Sequence, residues 1–362
     1  MDTSDPDISF DDLGQCNHCR QYFTRIEKEV LHGDSARHQL DRAINSIAAE
    51  GKGKDYDCVA GVSGGVDSTW VLYQLKRLGL RPLAVHFDNG WNSELAVGNI
   101  KNALNHLKID LHTEVVDWEE FRDLQLSFLR SSVPNCEIPT DHGITATLVK
   151  TASAIGTRYV INGSNVVTEG ILPIAWVYYS HDLYHLRAIH KRFGTRPLRT
   201  FPQLSLASFV VRILSGRYRM MNILNMLDYD KNEAMTTLAR ELHWQPYGGK
   251  HYESIFTRWY QGFSLPVKFG YDKRRAHLSA LVCAGQMDRE TALGELSNNP
   301  YATADVDADT DFVVRKLGIS HEALERMITS ENRRHTDYPN RRLAIEGLSG
   351  FRQYVRTLAK RV

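Results

Sequence analysis

Six consecutive residues, Ser63-Gly64-Gly65-Val66-Asp67-Ser68, bring together the groups needed to hold an anion. Two glycines let backbone amides approach a phosphate with no Cβ in the way. Ser63 and Ser68 add hydroxyl donors, and a helix starting at Val66 directs its N-terminal amides and dipole to the same point. Such a nest suits the β and γ phosphates of ATP. It is not a Walker loop, because no Gly-Lys-Ser/Thr closes it, and the missing lysine points away from γ-phosphoryl transfer. Asp67 is the carboxylate placed to serve Mg²⁺, which takes few protein oxygens and shares the phosphates. The plainer role for Asp67 is to stabilise the helix N-terminus.

Other chemistry-bearing residues lie further along. Asp88-Asn89-Gly90 and Asn162-Gly163-Ser164-Asn165 each follow a strand-like run, and ligands bind beyond the carboxyl ends of parallel strands. Asp141 and His142 follow Pro139. The His142 imidazole has an unperturbed pKa near working pH and suits proton transfer, although a lone histidine is more often an ordinary polar contact. Lys250, His251, Arg258, Lys273 and Arg274 are candidate partners of phosphates, either those of ATP or those of an anionic substrate; the competing role is solvated surface charge. Cys16-x-x-Cys19 has zinc-knuckle spacing but supplies two of the four ligands a structural zinc needs. Cys58 reads as strand core and Cys283 as part of a helical apolar stretch, both inert; Cys136 sits just before the Glu137-to-His142 stretch.

The elements that must position these residues begin near Lys54. Cys58 to Val62 is a short buried-strand run, and Val66 to Leu78 is a helix closed by Gly79. Leu83 to Phe87 is a second strand, and Ser93 caps a helix bearing Val97, Ile100, Leu104 and Leu107. A third strand is expected at Leu111 to Val116, then a helix from Glu119 to Arg130. A further helix is capped by Thr140, and Arg158 to Ile161 forms a fourth strand. Strands alternating with helices of this length imply a parallel sheet covered on both faces. Past Asn162 the alternation stops and the chain reads as helices and loops, with Asn298 to Asp311 an exposed acidic loop. This gives an N-terminal CxxC segment at 1–53, an α/β nucleotide-binding domain at 54–180 and a mainly helical region at 181–362.

Composition sets the outer bounds. The 362 residues are 42% hydrophobic and carry 44 Lys+Arg against 43 Asp+Glu, a net charge of +1, which argues against nucleic-acid binding driven by the whole-molecule field. A local basic, aromatic-studded stretch from Arg187 to Lys231 suits either a docking face or helices with snorkelling arginines. The longest strongly apolar run, Ile171 to Tyr179, contains Pro173 and falls short of the roughly 20 residues of a membrane span. The acidic start Met1-Asp2-Thr3-Ser4-Asp5 is not a secretory signal, and five cysteines do not make a disulfide framework, so a cytoplasmic protein is expected.

The Ser63–Ser68 string resembles the signature of the PP-loop ATP pyrophosphatase superfamily (adenine nucleotide alpha hydrolase-like), in which ATP is cleaved between the α and β phosphates. The likeness implies adenosine contacts at Asp88–Gly90. Longer strings resemble the N-acetyl sugar amidotransferase family: Met1 to Ile8, Cys16-Asn17-His18-Cys19, Glu137 to His142, Gly248-Gly249-Lys250-His251-Tyr252-Glu253-Ser254, Thr257-Arg258 and Asp272 to Ser279. This resemblance implies conversion of an acetamido group on a nucleotide-linked diacetamido sugar into an acetamidino group, in lipopolysaccharide O-antigen or related glycan biosynthesis. It implies ATP, Mg²⁺ and ammonia supplied by glutaminase and cyclase-like partner subunits. Asp67, Asp141, His142 and Lys250 then become the catalytic candidates. In that family a second Cys-x-x-Cys precedes a string like Met1–Asp5, so zinc at Cys16 and Cys19 is expected only if other ligands complete it.

Two further classes fit the nest. A tRNA-thiolating enzyme would use Cys136 as a sulfur carrier, but should also have a basic field. A non-catalytic nucleotide sensor would bind ATP without turnover.

Overall fold

The computed structural model describes residues 1–247, 252–298, 301 and 303–348. Five strands, β1 (Cys58–Gly61), β2 (Pro82–Asp88), β3 (Leu111–Val115), β4 (Tyr159–Ile161) and β5 (Arg219–Met221), form one sheet in the order β3-β2-β1-β4-β5. Every neighbouring pair is parallel; Ala60 of β1 lies opposite Ala84 of β2 and Ile161 of β4. The chain steps outward from β1 through β2 to β3, then returns to the other side of β1 with β4. The strand order therefore reverses at β1, and a crevice opens at its carboxyl end.

Side chains alternate across the sheet as the pleat requires. Cys58, Ala60, Ala84, Tyr159 and Ile161 face one core, which the helices Gly33–Gly51, Val66–Arg77, Glu94–Leu107 and Lys231–Leu242 cover with Ile47, Leu72, Ile100 and Leu238. Val59, Leu83, Val85 and Val160 face the other, against Leu148, Val149 and Ala152 of the helix Ile138–Ala154. Each such aliphatic side chain contributes about 1.5–3 kcal/mol on full burial, so both layers hold β1 firmly beneath the loop it feeds. A separate core joins the helices Trp118–Ser131 and Leu183–Phe193 to the C-terminal region through Phe121, Phe128, Leu186, Phe256, Trp259, Val313 and Leu317.

The α/β class and the first four strands fall where the sequence placed them. The sheet, however, does not end near residue 180. β5 arrives after a helical excursion, and Lys231–Leu242 then packs on Val66–Arg77, so the layer around the loop extends to about residue 242. The helix expected from a Thr140 cap starts earlier, at Ile138, with Pro139 inside the first turn, where its missing N–H costs nothing. Of the stretch expected as an exposed loop from Asn298 to Asp311, the part from Thr303 onward is helical, within Thr303–Leu317, and Asp309 is buried as the partner of Arg258 and Tyr301.

Candidate active site

The Ser63–Ser68 loop leaves β1 at the strand reversal. Gly64 adopts φ +87°, a left-handed conformation that a side chain would strain. Gly65 is the N-cap of the Val66–Arg77 helix and makes no side-chain cap bond to its first turn. Ser63 and Ser68 brace the loop: the Ser63 N–H donates to Ser68 Oγ at 3.2 Å, Gly65 N–H donates to Ser63 Oγ at 3.3 Å, and Ser68 Oγ–H donates to Gly65 O at 3.1 Å. Gly64 O is held from the opposite side by the Trp244 indole N–H at 2.8 Å and the Tyr247 hydroxyl at 2.7 Å. Ser63 Oγ also lies 3.4 Å from Glu253 Oε1.

One other predicted strand end packs on this loop, and a second ends the neighbouring strand β2. Gly163, after β4, presses against the loop so closely that a Cβ there would sit 2.9 Å from Ser68 N and 3.1 Å from Asp67 Cβ. Asp88, ending β2, accepts from Gly90 N–H at 2.8 Å and Asn92 Nδ2 at 3.1 Å, which shapes the turn. Asn89 is buried and tied to Thr140 Oγ1 at 2.9 Å, so its role is to hold that turn. A cavity of about 290 Å³ opens beside Asp88, Asn89 and Gly90, lined also by Val115, Val116, Trp118 and Lys316. Asn162 donates to Met220 Sδ and accepts from Ser164 N–H, which ties its side chain to β5 and its own turn.

Asp67 accepts the hydroxyl of Tyr229 on Oδ1. Burial and the adjacent carboxylate push the Tyr229 phenol far above its ordinary range, so it stays protonated and donates to Asp67. A carboxylate at the first turn of the nest helix, oriented by a fixed donor, fits a hard cation shared with phosphates. Asp67 with the Ser63–Ser68 donors would hold Mg²⁺ and the phosphates of ATP.

The candidate cations divide. Lys250 and His251 lie outside the described residues. Arg258 makes a two-toothed pair with Asp309 at 2.7 Å per contact, Arg274 forks onto Asp272 and reaches Asn298 O, and Lys273 meets Glu137 at 2.9 Å. All three join parts of the C-terminal region or tie it to the Ile138–Ala154 helix, which gives them structural work.

His142 is not placed to move a proton. Its Nδ1–H donates to Ser180 O at 2.7 Å and its Nε2 accepts from Leu204 N–H at 3.1 Å, so both ring nitrogens are engaged by backbone. Burial lowers its pKa to about 4, keeping the ring neutral. Asp141 is exposed in the first turn of the same helix.

Cys16 caps the helix Asn17–Glu29, its Sγ 3.4 Å from that of Cys19. Cys283 lies by Cys19, whose thiol lowers the Cys283 pKa. Among the described residues no group of three or more His, Cys, Asp or Glu side chains could hold a metal ion, so the zinc expected of Cys16 and Cys19 is not supported. His18 is occupied by Asp5 at 2.5 Å. Cys136 is buried, which raises its thiol to about 12; a sulfur carrier must be reachable as a thiolate, so this weighs against tRNA thiolation. No helix among the described residues is long and apolar enough to cross a membrane.

Trp244, Tyr247, Glu253, Tyr229 and Lys316 were not singled out from sequence. The first three flank or fall within the Gly248–Ser254 string, whose likeness was the available signal.

Fold and nest together define an α/β protein with a parallel five-stranded sheet, a glycine-lined loop at the strand reversal and a helical C-terminal region. Residues 253–352 match the family described as LPS biosynthesis protein WbpG-like, C-terminal domain, in keeping with the resemblance of the sequence strings to a family of surface-polysaccharide enzymes. No curated protein matches the chain. Among solved structures, the NH3-dependent NAD synthetase from Campylobacter jejuni subsp. jejuni NCTC 11168, in complex with the nitrate ion, is similar at 14% identity over 57% of this chain and 93% of that one, with a TM-score of 0.29. The NMN synthetase from Francisella tularensis is similar at 14% identity over 58% and 96%, also with a TM-score of 0.29.

Proposed function

We propose that this chain uses ATP to convert the acetamido group of a nucleotide-linked N-acetyl sugar into an acetamidino group, with ammonia supplied by a separate glutaminase. The observation that carries the reading is the glycine-lined nest at the strand reversal, with no Walker lysine, on the same chain as a WbpG-like C-terminal domain. An acetamido carbonyl is a poor electrophile, and its oxygen is a poor leaving group. Attack of that oxygen on the α phosphate forms an O–P bond, breaks the α–β bridge and releases pyrophosphate. Ammonia then adds to the carbon of the O-adenylyl imidate, and the C–O bond breaks with departure of AMP. The former carbonyl oxygen leaves on AMP.

Catalysis of this kind is mostly placement and charge stabilisation. The amides following Gly65, with the hydroxyls of Ser63 and Ser68, hold the outer phosphates while the bond to the α phosphorus lengthens. Mg²⁺, when bound, neutralises the departing charge. Gly163 lets the β4 end approach the loop closely, and the turn at Asp88–Gly90 offers polar groups and a cavity to the nucleoside. Lys250 and His251 remain candidates for substrate phosphates within the Gly248–Ser254 string. The reading also implies a glutaminase partner and a lipopolysaccharide-type product.

The test is product analysis with ammonium salt, ATP and a panel of UDP- and CMP-linked diacetamido sugars. AMP and pyrophosphate should form only when sugar and ammonia are both present, and heavy-oxygen label in the acetyl carbonyl should appear in AMP. Formation of ADP, or AMP without label, overturns the reading. Sulfur incorporation into tRNA by the purified protein would favour the thiolation class instead.

A further inference from the structure

β3 ends the sheet, and among the described residues no strand pairs with its outer side. Leu111, Thr113 and Val115 are exposed, Leu111 at 43% and Val115 at 70%. The bonds that bracket the strand fix where its peptide groups point. Ala84 N–H donates to Asp110 O at 3.0 Å, and Val116 N–H donates to Asp88 O at 3.1 Å, so the even-numbered residues turn toward β2. Successive residues alternate, which leaves the N–H and C=O of Leu111, Thr113 and Val115 pointing away from the sheet. Such a row of free backbone groups is a template for another strand. β3 also has none of the common guards of an edge: no proline, no lysine and no bulge.

The side chains say what fits there. Turned about a two-fold axis at Thr113, a second β3 lies antiparallel, with Thr113 opposite Thr113, Leu111 opposite Val115 and His112 opposite Glu114. The odd-numbered residues then form hydrogen-bonded pairs, about six bonds in all. Leu111 and Val115 meet on one face of the joined sheet. His112 and Glu114 meet on the other, in the closer, non-hydrogen-bonded positions, where a basic imidazole opposite a carboxylate is favourable. Moving the axis to 112 or 114 keeps the ladder but sets His112 or Glu114 against itself, which is not. Within one chain, Glu114 already lies 3.6 Å from His112 and 3.3 Å from Lys150, so pairing the strands brings each acid among basic groups. We infer that the protein forms a two-fold dimer through its β3 edges, centred on Thr113, which joins two sheets into one. Val115 lines the cavity beside Asp88–Gly90, so the partner's Leu111 is set against a wall of that cavity.

Sedimentation equilibrium of the full chain tests this. The unmodified protein should associate reversibly to twice the chain mass. Thr113→Pro removes an N–H that its own sheet does not use, so the monomer should keep its fold, with unchanged far-UV circular dichroism. The dimer loses its two central bonds, and its dissociation constant should rise roughly a hundredfold. His112→Lys keeps a basic group opposite the partner's Glu114 and should preserve the dimer. His112→Glu sets carboxylate against carboxylate twice over and should weaken it roughly tenfold. Should Thr113→Pro fail to fold, the two His112 variants decide the matter, because an edge that faces only solvent distinguishes neither. A monomer, whose edge is then open to a strand of some other protein, overturns the inference. So does a dimer that Thr113→Pro leaves intact, since it associates through another face, and so does an equal response to His112→Lys and His112→Glu.

Discussion

The Tyr229 hydroxyl and the Asp67 carboxylate are joined by a hydrogen bond that links the segment after β5 to the first turn of the nest helix. Tyr229 is buried, and Asp67 gains a donor that fixes one carboxylate oxygen. Tyr229→Phe should leave that oxygen without its buried partner, at a cost of about 1–2 kcal/mol in unfolding free energy. A freed carboxylate can also rotate away from the phosphates. Denaturant melts and MgATP affinity should therefore fall together, whereas unchanged MgATP affinity would separate Asp67 from the nucleotide.

Gly163 has no room for a methyl group. A Cβ there would meet Ser68 N at 2.9 Å and Asp67 backbone carbon at 3.0 Å, and both belong to backbone that cannot swing aside. Gly163→Ala should push the loop away from β4 while the sheet cores stay packed. A shift of this size at a positioning element costs on the order of a hundredfold in turnover. Circular dichroism should be unchanged. A variant with normal AMP formation would show that the nest is not the working site.

His142 carries a pH prediction whose sign follows from burial. Its folded pKa is about 4 against an ordinary 6.5, so the unfolded chain binds the extra proton first as pH falls. The stability it confers is complete above pH 6.5, is lost progressively down to about pH 4 and then levels off. The full span is about 3 kcal/mol. His142→Gln should flatten the melting temperature across that window and leave the pH profile of turnover unchanged. A shifted turnover profile would return a proton-transfer role to this ring.

What could be read from sequence was local. The Cys58–Val62 run, the Ser63–Ser68 loop and the helix after it are contiguous, so strand, nest and dipole were visible together. β5 was hidden because Arg219-Met220-Met221 is three residues at a sheet edge, with neither alternation nor a β-branched run. Trp244, Tyr247 and Glu253 reach the loop only because the chain returns after β5, and no periodicity encodes that return. Charge was equally opaque: Arg258 and Asp309 lie 51 positions apart, and nothing in composition says that they neutralise each other instead of meeting a phosphate. His142 misled for the same reason, since its acceptors and donors are backbone groups of Ser180 and Leu204.

Lys316 ties the C-terminal region to the Asp88–Gly90 turn at the end of β2. Its ammonium donates to Gly90 O and stands 4.9 Å from the Trp118 ring centroid and 5.3 Å from that of Trp91. Burial lowers its pKa, while Asp88 nearby works in the opposite direction. The cation thus holds the Asp88–Gly90 turn against two indoles and forms part of the cavity wall. Lys316→Met keeps the aliphatic stem over the rings but removes the bond to Gly90 O, so the turn should loosen while the hydrophobic core beneath survives. Affinity for ATP should drop several-fold, with affinity for pyrophosphate, which needs only the Ser63–Ser68 nest, unchanged. Equal losses for both ligands would mean that Lys316 supports the fold as a whole, and losses for neither would remove the Asp88–Gly90 cavity from the nucleoside site.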